Sequence, residues 1–201
     1  MTVAESWERI VAWCAEYAPA SLSSIRPAAP ESERRAAEDV TGVQWPDDLR
    51  AWYALADGTE IEPRGTLLPF HRPLPVGEVV NRWRMLQSVW ASIYPPDVLE
   101  AGRQRQAGTV AAAFLADYVP VAEDGTGDTM YVDTRDGGPT GCVGVFFHAD
   151  TDTYGPVWDS VTAMLADVAD SLEQNRPCNG GLPTVTDQRL AWSVADPRWA
   201  P

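Results

Sequence analysis

The period of the hydrophobic residues changes along this chain, and the order of the changes limits the fold. Val3, Trp7, Ile10, Cys14 and Tyr17 recur at steps of four, three, four and three, the signature of one helical face. That helix should end before Pro19. A Ser/Pro/Ala-rich connector runs from Ala18 to Pro30, and "ESERRAAEDV" reads as a short charged helix. In "VQWPDDLRAWYALADGTE", Pro46 suits a first helical position, and Asp47 and Asp48 suit the positive end of the helix dipole. Leu49, Trp52, Tyr53 and Ala56 form its buried stripe, and Asp57-Gly58 is expected to close it. "GTLLPF" reads as a short strand. Val79, Trp83, Leu86 and Trp90 mark a long helix from near Val76 to just before Pro95-Pro96. Asp97 to Ala116 fits no single pattern.

From Tyr118 the period becomes two. "DYVPVAE", "TMYVDT" and "CVGVFFHAD" are short, β-branched or aromatic, and separated by Gly/Asp turns. In the last, Val143, Val145 and Phe147 share one face while Phe146 and His148 lie on the other, the mark of a central strand. Trp158, Val161, Leu165, Val168 and Leu172 predict a closing core helix, and one more strand is expected around Thr184 to Val194. Helices first, then consecutive strands, then a helix give a single α+β domain, its antiparallel or mixed β-sheet flanked by helices.

A chain of 201 residues with 45% apolar residues and nine tryptophans can bury a full core. The formal charge of −14 repels nucleic acid and anionic membrane and attracts a basic partner, although solubility alone would also account for it. The chain has no eighteen-residue apolar run, and "MTVAESWERI" lacks the basic-then-apolar order of an export signal, so a soluble, cytoplasmic protein is expected. Cys14, Cys142 and Cys178 are odd in number and widely spaced, which predicts reduced thiols. All fifteen basic residues are arginine, and heavy Ala, Gly and Pro use accompanies them, as in a GC-rich bacterial genome.

The densest acidic stretch is "VPVAEDGTGDTMYVDT", with Glu123, Asp124, Asp128 and Asp133. A calcium loop needs six to eight oxygen ligands, usually with acids at alternating positions. Here Gly-Thr-Gly separates Asp124 from Asp128, so a hairpin turn is the better reading and no metal is expected. Asp136, in "DTRDGGPTG", belongs to a second turn. His71 and His148 lack the cysteine pairs of a zinc site. A Cys142–His148 dyad fails on a continuous strand, where six residues span roughly 20 Å. "GTGDT" lacks the lysine of a phosphate-binding loop, and no cofactor is implied. Trp45, Trp192 and Trp199 are the aromatic residues least tied to a stripe and so the interface candidates, with burial favoured for Trp45.

The succession of "WPDDLRAWYALADG", a "LLP" strand, a helix containing Trp83, a hairpin like "VPVAEDGTGDTMYVD" and a helix begun by Trp158 resembles the SMI1/KNR4 (SUKH) family. Trp45 stands where the family usually has leucine, and Asp57 where asparagine is commoner. The resemblance covers roughly Ala29 to Glu173. It divides the chain into an N-terminal helix and connector (1–28), an SMI1/KNR4-like domain (29–175) and a C-terminal tail (176–201). It implies a non-catalytic protein-binding domain, because bacterial members are often immunity proteins that neutralise a toxin and fungal members are scaffolds in cell-wall regulation. Two alternatives stand beside an immunity protein: a carboxylate-dependent hydrolase acting on a polar or carbohydrate substrate, and a cell-envelope scaffold. For the binder, the partner would be a protein, such as a basic nuclease toxin, met by Glu123, Asp124, Asp128, Asp133 and Asp136.

Overall fold

A computed structural model describes residues 1–61, 66–148 and 155–195. Helix α1 (Val3–Tyr17) opens with a reciprocal cap: Thr2 Oγ1 accepts from the Glu5 N–H and the Thr2 N–H donates to Glu5 Oε2 at 2.7 Å. Val3, Trp7, Ile10 and Cys14 are buried as their spacing predicts, but Tyr17 is 50% exposed. The Pro-rich connector contains a short helix α2 (Pro19–Ser24), and the charged segment forms α3 (Glu31–Thr41), ended by Gly42 in the left-handed conformation.

Helix α4 (Asp47–Tyr53) buries Leu49, Trp52 and Tyr53 but stops before the expected Asp57-Gly58. These two residues serve other elements. Asp57 Oδ1 accepts the Val76 N–H at 2.7 Å, capping α5 (Val76–Ile93). Gly58, at φ +64°, runs so close to Leu74 that a Cβ would lie 2.5 Å from the Leu74 carbonyl carbon. Asp48 likewise accepts the Thr162 N–H at 3.0 Å, at the start of α7 (Val161–Gln174). Asp57 thus serves the next helix instead of its own, and Asp48 serves both α4, in whose first turn it lies, and α7.

The expected "GTLLPF" strand does not form over its described residues. Leu68 bridges His71 around a turn in which Phe70 takes φ 61°, and only β1 (Arg72–Pro73) joins the sheet. The ambiguous stretch holds α6 (Pro96–Arg103). Strands β2 (Tyr118–Glu123), β3 (Thr129–Asp133), β4 (Val143–Phe146) and β5 (Pro156–Trp158) complete an antiparallel sheet in the order β1-β2-β3-β4-β5. Trp158, expected on the closing helix, lies on β5 opposite Val143, because Ser160 caps α7 two residues later. The tail forms two strands where one was expected, β6 (Gly181–Thr186) and β7 (Arg189–Val194), joined by Asp187-Gln188 with both φ values positive.

Side-chain alternation places a core on each face of the sheet. Val119, Val121, Met130, Val132, Val143 and Val145 join the core that includes α1, α4 and α7. Tyr118, Tyr131 and Phe146 turn the other way, against Leu86 and Trp90 of α5 and Phe114. The β6–β7 hairpin packs on α1, α2 and α7, with the Leu190 N–H donating to Ser21 Oγ at 2.9 Å. The architecture is α+β.

Candidate functional site

The β2–β3 hairpin organises the acidic residues. Its five-residue loop, 124–128, closes around Asp124, whose Oδ1 accepts the N–H groups of Thr126, Gly127 and Asp128 at 2.8, 3.0 and 3.0 Å. The Thr126 hydroxyl donates to the other oxygen. Partial burial pushes the Asp124 carboxyl up, but the bonds from Thr126 and Gly127 and the proximity of His71 outweigh it and hold it below the usual range. Gly127, at φ +132°, is required here, since a Cβ would come within 2.8 Å of the His148 ring. Asp128 Oδ1 accepts the His148 N–H at 3.0 Å and meets His148 Nδ1 at 2.9 Å.

Two arginines brace the hairpin from behind. Arg72, buried, donates to the Thr59 carbonyl at 2.9 Å and to Glu123 at 2.9 Å, and also bonds Glu78. Arg82 donates to the Gly127 carbonyl at 2.7 Å and to Thr129 Oγ1 at 2.8 Å. Beneath the loop, His71 Nδ1 donates to the Pro69 carbonyl at 2.7 Å, leaving Nε2 buried without a hydrogen-bond partner. Burial pushes the His71 pKa down, although the Pro69 bond, Asp124 and Asp128 oppose the shift.

Glu123, Asp124 and Asp128 therefore lie together at one end of the hairpin, with Glu123 and Asp128 partly exposed. Asp133 and Asp136 do not join them. Four residue steps along β3 carry the chain about 13 Å away from Thr129. Asp136 is exposed in the β3–β4 connection, whereas Asp133 is only 1% exposed. Its carboxylate accepts from Arg135 Nη2 at 2.7 Å and from the Gly108 N–H at 2.8 Å. Buried in this way, Asp133 serves as the counter-ion of Arg135. Trp45 and Trp192 are buried too, the latter donating to the Thr66 carbonyl at 2.9 Å, and Trp199 lies outside the described residues.

Glu5, Asp124, Asp167 and Glu173, the described carboxyls with resolved shifts, all lie below the usual range. Burial pushes the Cys142 thiol up to about 11, and β4 separates it from His148, which is engaged with Asp128. Among the described residues, no group of three or more His, Cys, Asp or Glu side chains is placed to hold a metal. Arg72, Arg82 and Arg135 organise the site yet were not singled out in the sequence.

The model of the SMI1 / KNR4 family (SUKH-1) matches residues 28–167. The chain belongs to the SMI1/KNR4 family. No curated protein matches it. The SMI1/KNR4 match runs from just before α3 into α7, so it contains the hairpin and all five acidic candidates, while α1, α2, the end of α7 and β6–β7 lie outside it. No helix among the described residues of this SMI1/KNR4 chain is long and apolar enough to cross a membrane.

Asp133→Asn removes the counter-charge from an Arg135 that cannot reach water, so it should cost about 3–5 kcal/mol, read from the urea midpoint. A loss below about 1 kcal/mol would show that the guanidinium is satisfied without that charge. The lowered pKa of His71 means that the unfolded chain, titrating near 6.5, binds its proton first as pH falls. Its contribution is therefore complete above about pH 6.5 and is lost as pH drops toward the folded pKa. His71→Gln should reduce the fall in stability across that window by up to about 1.4 kcal/mol per pH unit. An unchanged pH slope would contradict this assignment.

Proposed function

We propose that this SMI1/KNR4 protein is a non-catalytic immunity-type binder, acting in the cytoplasm, that neutralises a basic bacterial toxin domain. The observation that carries the reading is a braced acidic hairpin on a chain of formal charge −14. A nuclease suits such a surface, because a groove built for nucleic acid is itself basic. Opposite charge speeds encounter and selects against acidic partners. Glu123, Asp124 and Asp128 at the hairpin end and Asp136 on the next connection are the proposed contacts. Asp133 acts indirectly by steadying the far end of β3.

A hydrolase is less well supported. A carboxylic general acid working near neutral pH needs a raised pKa, and the resolved carboxyl shifts run the other way. The bracing also suits binding better than catalysis, since a pre-formed surface loses less freedom when a partner arrives.

Affinity capture from a lysate of the source organism, at low and at moderate salt, tests the proposal. One stoichiometric basic protein, retained at moderate salt and inactive in the complex, is the expected result. The Asp128→Arg/Asp136→Arg variant should hold it less tightly. No protein partner at either salt, from cells that express candidate toxins, would overturn the immunity reading.

A further inference from the structure

His71 is a buried titratable group placed directly under the acidic loop. Phe70, just before it, takes φ 61°, a left-handed conformation that a bulky side chain adopts only when its surroundings impose it. Two backbone bonds between Leu68 and His71, at 3.1 and 3.3 Å, close that turn. A Cβ at Gly181 would lie 3.2 Å from the Phe70 ring, so the ring packs on that glycine. The strained turn holds the imidazole inside, 5% exposed, with its Nδ1–H committed to the Pro69 carbonyl at 2.7 Å. Nε2 is then the ring's acceptor, and no group among the described residues donates to it.

A neutral ring tolerates an empty acceptor. A protonated one needs a partner, because Nε2 becomes a donor and carries charge in a buried place. The charged groups that act on the ring are the carboxylates of Asp124 and Asp128, both in the loop above it. The other charged groups around the loop are engaged elsewhere. Arg72 binds Glu78 and Glu123, Arg82 binds the Gly127 carbonyl and Thr129, and His148 binds Asp128. Asp124 fixes the loop, since its carboxylate accepts the N–H groups of Thr126, Gly127 and Asp128. Those bonds also keep it ionised in the range where a histidine titrates. Turning it onto the imidazolium meets the new N–H and the new charge together, and frees the loop amides.

We propose that His71 is a proton switch for the acidic hairpin: its imidazolium draws the Asp124 carboxylate off the loop amides, and the hairpin's hold on a basic partner weakens. The hold weakens for two reasons, a loop that is no longer pre-formed and a positive charge beneath the acidic surface. The effect on binding rests on the binder reading, whereas the rearrangement of the loop does not.

The test is NMR on the full-length, ¹⁵N-labelled protein, titrated from about pH 7.5 to about pH 4.5. The chain has two histidines, so His148→Gln assigns each ring's midpoint. The amides of Thr126, Gly127 and Asp128 should move upfield as their bonds to Asp124 break, with the midpoint of the His71 ring, below about 6.5. His148→Gln should keep that inflection and His71→Gln should abolish it. Asp124→Asn, which removes the attracting charge, should lower the His71 midpoint by about half a unit or more. A His71 ring that does not titrate in this range, loop amides that follow only His148, or a midpoint indifferent to Asp124→Asn overturns the switch. These readouts do not require a stable His71 variant. Acetylated, amidated tetra-arginine probes the surface: its affinity, read at the Glu123 amide, should fall at least about threefold between about pH 7.5 and 5.5. In His71→Gln it should stay level, and an equal fall in both proteins overturns the coupling to binding. Failure to capture a basic protein from lysate would sink the binder reading and leave the loop titration standing. A loop blind to His71 would do the reverse.

Discussion

The Arg135 guanidinium is inside the protein, and the far end of the central strand is organised around it. Asp133 supplies its counter-charge, the carbonyls of Gly102 and Thr109 accept at 2.9 and 2.7 Å, and the Tyr118 ring lies beneath it at 5.2 Å. Burying a charge is tolerable only when its hydrogen bonds are met, and here they are met from three separate segments. The pair therefore ties the end of α6 and the loop after it to β3, and places the aromatic core of Tyr118, Tyr131 and Phe114 against one face of the sheet. With β3 fixed at that end, its other end can present the acidic hairpin in one geometry.

At the hairpin the same residue type serves two purposes. Asp124 turns a carboxylate oxygen inward onto three loop N–H groups and fixes the turn, while the charge of the carboxylate still contributes to the local field. Arg72 and Arg82 hold the base of the loop without covering all its carboxylates. A surface arranged in this way needs little reorganisation to receive a partner.

Much of the fold was legible because burial imposes period. The stripes of α1, α5 and α7 and the alternation of β2 to β4 follow directly from which residues must leave water. The misses share a cause, which is that polar and backbone groups chose partners distant in sequence. Asp57 looks like the end marker of α4 but caps α5, and α4 ends at Tyr53; Asp48 keeps its place in the first turn of α4 and also caps α7. Trp158 fits a helical spacing yet pairs on β5, and its indole donates to Asp167 across the start of α7. The β6–β7 turn uses Asp187-Gln188 without a glycine, so its usual sequence signal was absent. In the candidate site the turn at Asp124 could be read from its glycines, whereas the burial of Asp133 could not, because nothing local shows that Arg135 is inside.

The association rate as a function of ionic strength tests most directly the proposed capture of a basic protein by a pre-formed acidic surface. Stopped-flow mixing with the captured partner should show the association rate constant falling at least about tenfold between roughly 20 and 200 mM salt, with much less change in dissociation. An association rate independent of salt would contradict electrostatic capture and remove the acidic hairpin from the recognition step.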